Sequence, residues 1–483
     1  MPIVLAPLND TAEARQLQRR AQAGAVRRIY QGIYTDDRSA PLEVVVRREL
    51  LFIIAALAPD AIVSHRSALE SGVTAAGEVH LTGPYRRDIE LPGVTLRIRK
   101  GPGPRSEDIQ IPTPAGTAHR SSEPRALLEN LQVTRARDES RRHTLGQAAV
   151  EQRLEKLLVR EGDATLNRIR DLAWEAGEAL GMSAEFKKLE AIIGTLLGTR
   201  SARLLHPAAV ARAAGAPYDE GRVDLFQKLA VYLDATPPVI PECQPGIDRA
   251  LQAFLESYFS NYIEGTEFEL EEAHAIVMAN KPLQYREDDS HDVIGTFNAI
   301  LDSTARPMMP TDFESFALQL QAWNRQVIFS RSSKRPGEWK SEPNRAGDTF
   351  FVHPELVRGT LEKGFELISA ASTAAARAAL AMFVVSEVHP FTDGNGRTAR
   401  LALNLALSGE ARTRAIVPTV YREDYLLALK ALSRNSEPEP YVRMLTRAAQ
   451  FSRWLDYSSQ TRLFRQLSES NALLQPAEGR LQF

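Results

Sequence analysis

A twelve-residue polar segment between two long apolar stretches constrains this chain more than any other feature. It reads His389-Pro390-Phe391-Thr392-Asp393-Gly394-Asn395-Gly396-Arg397-Thr398-Ala399-Arg400. The apolar stretches, 371–388 and 398–407, predict helices, so the two glycines lie in a loop at a helix N-terminus. Unpaired backbone N–H groups and the positive end of the helix dipole meet there, which suits a phosphate. The segment predicts a loop that brings together nucleotide phosphates, a divalent metal ion and a base.

The chemistry of the individual side chains in this loop supports that interpretation. His389 is a candidate general base, because imidazole titrates near neutral pH. Asp393 offers hard oxygen ligands to Mg²⁺, which prefers one or two carboxylates together with phosphate oxygens. Arg397 and Arg400 share the first helical turn, so both can reach a polyphosphate from one side. An anion cradle is predicted from the backbone N–H groups of Gly394, Asn395 and Gly396.

The loop resembles the motif of the Fic family, HPFx[D/E]GNGRxxR, at every specified position. Fic enzymes transfer the AMP moiety of ATP to hydroxyl side chains of proteins. The resemblance implies a helical Fic domain over 246–457, ATP as the substrate with Mg²⁺, and a protein target bearing a Ser, Thr or Tyr hydroxyl, the protein itself included. It also implies that Arg397 serves the α/β end of the polyphosphate and Arg400 the γ-phosphate.

A second motif lies upstream, at the end of a predicted helix over 251–264. Ser260 and Glu264 are four residues apart and share one helix face, and Gly265 follows as a natural stop. The hexapeptide resembles the inhibitory motif of Fic proteins, [S/T]xxxE[G/N], placed before the core as in class II. The resemblance implies that Glu264 pairs with Arg400 and holds the enzyme inactive. The alternative is an ordinary surface glutamate at a helix end.

Residues 337–352 predict a β-hairpin, because two short stretches, 338–340 and 349–352, flank a polar turn that contains glycine. In Fic proteins a hairpin at this place, the flap, holds the target by strand addition. We keep the name flap for residues 337–352; the alternative is a mere connecting hairpin. The resemblance implies target contacts from Trp339, Lys340, Thr349, Phe350 and Phe351.

The N-terminal residues are basic. No acidic residue lies between Ala14 and Gly32, and this interval contains Arg15, Arg19, Arg20, Arg27 and Arg28. The stretches 24–34, 41–58 and 62–69, with weaker matches at 79–83, resemble the winged-helix region of AbiEi-type antitoxins, whose domains repress transcription. The resemblance implies DNA contacts from these arginines, mostly to phosphates and weakened by salt. A solvated helix face is the alternative.

The chain of 483 residues has room for roughly three domains, and its periodicity is mainly helical. We expect a mainly α fold in four parts: a small α+β winged-helix-like region with a β lobe over 1–130, a helical spacer over 131–236, the Fic domain over 246–457 and a C-terminal tail over 458–483. The proline-rich stretch 235–242 is the predicted linker between spacer and Fic domain.

Composition excludes several classes of protein. Cys243 is the only cysteine, which excludes an intramolecular disulfide framework and a multi-cysteine zinc site and fits a reducing cytosol. The first ten residues lack the order of a signal peptide, and the apolar run 50–58 is too short to span a bilayer. We therefore expect a cytoplasmic protein that does not associate with a membrane. Abundant alanine and arginine with little lysine is typical of a GC-rich bacterial genome, and the P-loop motif GxxxxGK[ST] does not occur.

Two function classes stay open on the sequence: an AMP transferase, and a DNA-binding regulator of the toxin–antitoxin type whose Fic part is secondary. Within the enzyme class, some Fic proteins transfer UMP or phosphocholine, and removal of AMP from a target is a further activity. The loop does not distinguish these donors, because base recognition lies outside it. The oligomeric state is also open, a homodimer included.

Overall fold

In the computed structural model of the protein, residues 3–6, 11–134, 141–305 and 307–483 are described. The chain divides into two compact units, Met1–Ala213 and Ala214–Phe483. Helices dominate and a smaller β-rich part lies in the first unit, so the predicted fold class is confirmed. Among the described residues, no helix combines the length and the apolar character needed to cross a bilayer.

The first unit begins with a three-stranded antiparallel sheet of order β1-β3-β2. Its strands and the helix between them are β1 Ile3–Leu5, α1 Thr11–Gln22, β2 Arg27–Tyr30 and β3 Ile33–Thr35. Leu17 of α1 is buried in a cluster with Val26 and Tyr34. Because Leu17 faces this cluster, the opposite face of α1, with Arg15, Arg19 and Arg20, is exposed to solvent.

A six-stranded mixed sheet follows, in the order β6-β7-β5-β4-β9-β8. The pairs β5–β7 and β4–β9 are parallel and the other pairs are antiparallel. Two apolar helices cover it through a core that includes Ile53, Val79, Leu81 and Leu96. The elements of this layer are α2 Leu42–Arg48, α3 Leu50–Leu57, β4 Ile62–Val63, α4 His65–Leu69, β5 Glu78–Gly83, β6 Arg87–Leu91, β7 Val94–Lys100, β8 Ile109–Thr113 and β9 Gly116–Arg120.

Among the described residues of the first unit, five further α-helices share a second apolar core around Leu154, Leu166 and Ile192. They are α5 Glu123–Leu131, α6 Gln147–Glu161, α7 Asp163–Leu180, α8 Ser183–Leu196 and α9 Pro207–Ala213. The stretch 131–236, predicted as a spacer, is shared between the units, because its last helix, α10 Glu220–Ala235, lies in the second unit.

The second unit is helical around two central helices, α16 Ala374–Val388 and α17 Asn395–Ser408, which pack against each other. Almost every residue of both helices is buried, as expected for helices that are apolar around most of their circumference. The surrounding elements are α11 Arg249–Ile263, α12 Leu270–Ala279, α13 Glu287–Ala305, α14 Phe313–Val327, β10 Arg345–Ala346, β11 Thr349–Phe350, α15 Val357–Ala370, α18 Arg422–Asn435, α19 Glu439–Trp454 and α20 Gln460–Glu469.

The C-terminal residues pack onto this unit. The ring of Phe464 in α20 lies 6.2 Å from that of Phe254 in α11, and the ring of Phe483 lies 5.5 Å from that of Phe451 in α19. Gln475 donates to the hydroxyl of Tyr262 in α11. The tail therefore supports the helix that ends at Glu264.

Candidate active site

The first six residues of the polar segment, 389–394, form a tight loop between α16 and α17, and its last six residues are the start of α17. His389 takes the left-handed conformation at the end of α16, with φ 51°, and Gly394 takes it again before α17, with φ 76°. Asn395 closes the loop from inside, because its Oδ1 accepts the Phe391 N–H and its Nδ2 donates to the Phe391 carbonyl, both at 2.8 Å. The Asn395 side chain thus shapes the loop, and only its backbone N–H is available for the predicted anion cradle.

His389 is held in the neutral form. Burial lowers the pKa of His389 to about 4. Its Nδ1 lies 3.3 Å from the carbonyl oxygen of Ser386, which can only accept, so Nδ1 carries the proton and Nε2 carries the lone pair. The ring of Phe351 stacks on the imidazole at 3.8 Å between centroids and 5° between planes. The side chain is therefore a fixed proton acceptor with one face covered.

Arg400 is bound by both polar residues of the upstream motif. Its Nη2 lies 2.7 Å from Glu264 Oε1 and donates to the carbonyl oxygen of Ser260 at 2.9 Å, and its Nε donates to the hydroxyl of Ser260 at 2.9 Å. A further donation, at 3.1 Å, goes to the hydroxyl of Tyr425. The Arg400 side chain is 6% exposed and that of Glu264 is 30% exposed. The structure thus brings together residues 136 positions apart in the chain.

The charge state of Glu264 follows from this contact. Burial by itself raises the pKa of Glu264, but the positive charges of Arg400 and Arg397 outweigh it, and the pKa lies below its ordinary value. Glu264 is therefore ionised at neutral pH. Its carboxylate also lies directly against Gly396, where a Cβ atom would collide with Oε1. The carboxylate occupies space beside the first turn of α17, which is the place where a helix favours an anion.

Arg397 forms a salt bridge with Asp292, a residue that the sequence analysis did not predict to be part of the site. Its Nη1 lies 2.8 Å from Asp292 Oδ2 and 3.1 Å from Asn261 Oδ1, and its side chain is 3% exposed. Asp292, on α13, also accepts from Arg331 at 3.0 Å. This buried carboxylate fixes Arg397 beneath the loop. A lone aspartate inside a helical pattern gives no signal of such a role.

Asp393 is the carboxylate of the loop that faces solvent, with a side chain 35% exposed. Its Oδ1 accepts the Gly394 N–H at 2.6 Å and lies 3.7 Å from Arg397 Nη2. In the described part of the chain, no group of three or more His, Cys, Asp or Glu side chains is arranged to hold a metal ion. Asp393 therefore fits Mg²⁺ as one protein ligand of an ion whose other ligands are phosphate oxygens and water.

The flap residues divide into two groups. Thr349 and Phe351 line the cavity beside His389, and Phe350 is 66% exposed. Trp339 instead stacks on Phe391, with centroids 5.0 Å apart. Lys340 is buried, and its Nζ donates to Asn344 Oδ1 at 2.7 Å and to the Val388 carbonyl at 3.2 Å.

The first strand of the hairpin is therefore β10, and the sequence-based placement at 338–340 is wrong. The Lys340 N–H donates to the carbonyl oxygen of Pro390 at 2.8 Å, so the backbone at this point pairs with the loop and not with β11. The alternation of polar and apolar residues at 338–340 is typical of a strand. In the structure, Trp339 and Lys340 contact Phe391 and Pro390 of the loop instead.

A cavity of about 260 Å³ opens from His389 and Gly396 along one face of α18. Residues of α18 enter it at helical spacing: Arg422, Tyr425, Leu426, Leu429, Lys430 and Ser433. The remaining lining comes from the loop, the flap and the end of α11: Ile263, Glu264, Ala346, Thr349, Phe351, Ser386, Glu387, His389, Gly396 and Arg400. The α18 residues were not expected as site residues; their three- and four-residue spacing is the one signal that marks a shared face.

The N-terminal arginines lie in the first unit. Four of them have exposed side chains: Arg15, Arg19, Arg20 and Arg28. The fifth, Arg27, is half-buried and donates to the carbonyl oxygens of Asp37 and Ala40. Arg27 therefore holds the turn after β3, which reduces its availability for DNA.

Comparison with known proteins agrees with this geometry. The model of the Fic/DOC family matches residues 317–407. The proteins named "Protein adenylyltransferase fic-1" from Caenorhabditis briggsae and Caenorhabditis elegans are each 26% identical over 204 residues, which is 41% of this chain and 40% of theirs. The "Protein adenylyltransferase Fic" of Drosophila mojavensis is 40% identical over 68 residues, which is 14% of this chain and 13% of its own. The chain spans less than half of the length of these curated relatives.

Solved structures of Fic proteins also match. Fic-1 (aa134–508) from C. elegans has a TM-score of 0.38 and 19% identity, covering 72% of this chain and 89% of its own. A Fic domain containing signaling protein from Bacteroides thetaiotaomicron has a TM-score of 0.36 and 18% identity, covering 48% of this chain and 95% of its own. Together with the loop at 389–400, the family match establishes that residues 317–407 form a Fic/DOC family domain.

Proposed function

We propose that the second unit is a protein adenylyltransferase, which transfers AMP from ATP to a hydroxyl side chain of a target protein or of itself. One observation carries this proposal: the neutral His389, the first turn of α17 and Arg400 meet in a single cavity. The names of the curated relatives, protein adenylyltransferases, support it for the shared region.

The reaction is a displacement at the α-phosphorus. Nε2 of His389 takes the proton of the target hydroxyl, and the hydroxyl oxygen forms a bond to the α-phosphorus. The bond from that phosphorus to the oxygen that bridges to the β-phosphate breaks, and pyrophosphate leaves. The N–H groups at the start of α17 hold phosphate oxygens, and Arg400 holds the γ-phosphate. Mg²⁺ on Asp393 supplies charge neutralisation when it is bound.

The donor is ATP, and the target segment is extended. A hairpin beside the cavity allows a target strand to pair with the flap through backbone hydrogen bonds, which makes little demand on target sequence. To test the activity, a lysate is incubated with ATP and the Glu264→Gly variant, and modified proteins are identified by mass spectrometry. We expect AMP adducts on Ser, Thr or Tyr that vanish with Glu264→Gly/His389→Ala. Adducts that persist in the double variant, or a lysate without AMP adducts after treatment with Glu264→Gly, contradict the assignment.

Glu264 is proposed to inhibit this reaction. It occupies two places that the polyphosphate needs: the Arg400 guanidinium and the space against Gly396. Calorimetric titration with ATP and ADP tests the idea directly, because only ATP carries the γ-phosphate. We expect the wild type to bind both nucleotides about equally and Glu264→Gly to bind ATP about tenfold more tightly than ADP, the range for one charge-assisted contact. If the ratio of ATP affinity to ADP affinity is the same in wild type and Glu264→Gly, Glu264 does not compete with the γ-phosphate for Arg400.

Removal of AMP is a further activity that the resemblance suggests, with Glu264 orienting the attacking water. The ionised state of Glu264 beside the cavity supports it. A target modified by the Glu264→Gly variant, purified and then incubated with wild type, is expected to lose its AMP. Retention of the AMP by the target would rule this activity out.

DNA binding by the first unit is a second candidate function, favoured by the exposed Arg15, Arg19, Arg20 and Arg28 in a short basic stretch without acids. A gel-shift titration of the full chain with the DNA upstream of its own coding sequence, at two salt concentrations, tests it. Affinity that falls steeply with salt and is lost on changing Arg15, Arg19 and Arg20 to Gln supports phosphate contacts. Binding that is unchanged in the triple variant assigns the arginines to a solvated face.

A further inference from the structure

We propose that Arg222 is a positioning residue that fixes the flap over His389. It lies in the first turn of α10, before the proline-rich stretch 235–242 and outside the residues that match the Fic/DOC model. Its backbone N–H donates to the side chain of Asp219 at 3.1 Å, which sets its place in that turn. Its role in transfer rests on the proposed function, whereas its effect on the flap does not.

Arg222 joins the flap to the helix that carries His389. Its Nη2 donates to the carbonyl oxygen of Phe350 at 2.7 Å, and its Nη1 donates to the carboxylate of Glu387. Glu387 is two residues before His389, is 4% exposed and also accepts from the Ser433 hydroxyl at 2.9 Å. A planar guanidinium can hold both partners at once, which a single ammonium group cannot do with the same geometry.

The Phe350 carbonyl points away from the partner strand. Ala346 pairs with Thr349 and Arg345 with Phe350 across a two-residue turn. In such a hairpin the pair beside the turn exchanges hydrogen bonds, so the next pair directs its N–H and C=O groups outward. The bond from the Phe351 N–H to the Asn344 carbonyl, at 3.2 Å, agrees with this alternation. Arg222 therefore binds the outer edge of β11.

This contact acts on His389 through the next residue. Phe351 follows Phe350 and stacks face to face on His389 at 3.8 Å. A flap released from Arg222 is free to shift along this stack, and the imidazole then loses the ring that covers it. The guanidinium therefore controls both the position of the hairpin and the environment of the proton acceptor.

The chain offers a matched control. Arg377, in α16, makes the same two kinds of contact: it donates to the carboxylate of Glu410 and, at 3.0 Å, to the carbonyl oxygen of Ala371. Its side chain is 26% exposed, close to the 20% of Arg222. Arg377→Gln therefore removes an arginine of similar burial and bonding without touching the flap.

The first measurement is hydrogen–deuterium exchange of the full chain, which needs no nucleotide and no activity. We expect amides of 345–352 to exchange about tenfold faster in Arg222→Gln, the effect of losing a charge-assisted hydrogen bond. Arg222→Lys, which keeps the charge beside Glu387, is expected to exchange faster as well, and Arg377→Gln to match wild type. Unchanged exchange in folded Arg222→Gln, or an equal rise in Arg377→Gln, overturns the proposal.

The second measurement is the NMR signal of His389 in protein with labelled histidine, assigned by its absence in His389→Ala. A stacked aromatic ring shifts the imidazole C–H signals upfield. We expect Arg222→Gln to move them downfield, toward their position in Phe351→Ala, with no change in Arg377→Gln. A signal that stays at its wild-type position shows that Arg222 does not position the stack. If Glu264→Gly transfers no AMP, the proposed function fails and both measurements still decide the role of Arg222.

Discussion

Glu264 Oε1 lies 2.7 Å from Arg400 Nη2 and in contact with Gly396. Glu264 caps the end of α11, Gly396 lies in the first turn of α17 and Arg400 in the second, and the side chain of Arg400 is almost entirely withdrawn from water. A γ-phosphate that approaches Arg400 must therefore displace a carboxylate and not merely water.

The contact between Glu264 and Gly396 predicts an interaction between two substitutions. Gly396→Ala places a methyl group against the carboxylate, so we expect it to lower the free energy of unfolding of the wild type by about 2 kcal/mol. In the Glu264→Gly background the carboxylate is absent, and the better helix propensity of alanine, by about 1 kcal/mol, offsets the remaining contact with Arg400. We therefore expect the same change to cost roughly nothing in this background. Chemical denaturation of the four proteins measures this. Equal costs in the two backgrounds would show that Glu264 does not occupy this space.

The depressed pKa of His389 predicts a pH dependence of stability. The folded state resists protonation of His389 down to about pH 4, whereas the unfolded chain takes up the proton near its ordinary pKa. Between these values the unfolded state binds more protons, so stability falls as pH falls from about 6.5 to about 4, by at most about 3 kcal/mol from this residue. Denaturant unfolding of wild type and His389→Gln across this range isolates the effect as a difference. Parallel curves would contradict it.

The same pKa predicts the pH profile of the reaction. If His389 is already neutral at neutral pH, the labelling rate of Glu264→Gly is flat between about pH 6 and about pH 8, because no proton has to leave the base. A histidine with an ordinary pKa would give a rate that rises through about pH 6.5. Initial rates with saturating ATP and Mg²⁺ distinguish the two profiles, and a rise centred near that pH would show that the imidazole is hydrated in the active enzyme.

Asp292 predicts a large loss of stability. It is 1% exposed and accepts from Arg397 and Arg331, so Asp292→Asn leaves the buried guanidinium of Arg397 without its nearest carboxylate. We expect a cost of about 3 kcal/mol in the free energy of unfolding. Asp289→Asn is the matched control, because Asp289 also contacts Arg331 but is 34% exposed, and its loss should cost less than about 1 kcal/mol. Similar losses in the free energy of unfolding for the two variants would mean that the buried pair of Asp292 and Arg397 stabilises the fold no more than an exposed pair.

The loop and the motif at 260–265 could be predicted because their signals are local. The glycines and polar residues at 389–400 interrupt two apolar stretches, but α17 begins at Asn395, three residues before the predicted start at 398, so Gly396 lies in the helix and not in the loop. The pairing of Glu264 with Arg400, observed at 2.7 Å, was implied only by the family resemblance of the two short motifs. Such motifs specify which side chains share a face, and the family resemblance supplied the partner across the fold.

The supporting residues could not be predicted in the same way. Asp292 contacts Arg397 and Arg222 contacts the flap, each from a helix that is distant in the sequence. The sequences around Asp292 and Arg222 look like those of ordinary helices. The placement of Trp339 and Lys340 in a strand was wrong because the Lys340 N–H is bonded to the loop. These contacts depend on how helices pack, which periodicity alone does not determine.

The most direct test of the account compares labels from two positions of ATP. Wild type, Glu264→Gly, Glu264→Gly/His389→Ala and the control Glu410→Gly are each incubated with ATP labelled at the α-phosphate or at the γ-phosphate. We predict that protein label appears from the α-phosphate alone, in Glu264→Gly, and stays at background in the other three proteins. Equal α-label in wild type and Glu264→Gly, or label from the γ-phosphate, would contradict an AMP transferase inhibited by Glu264.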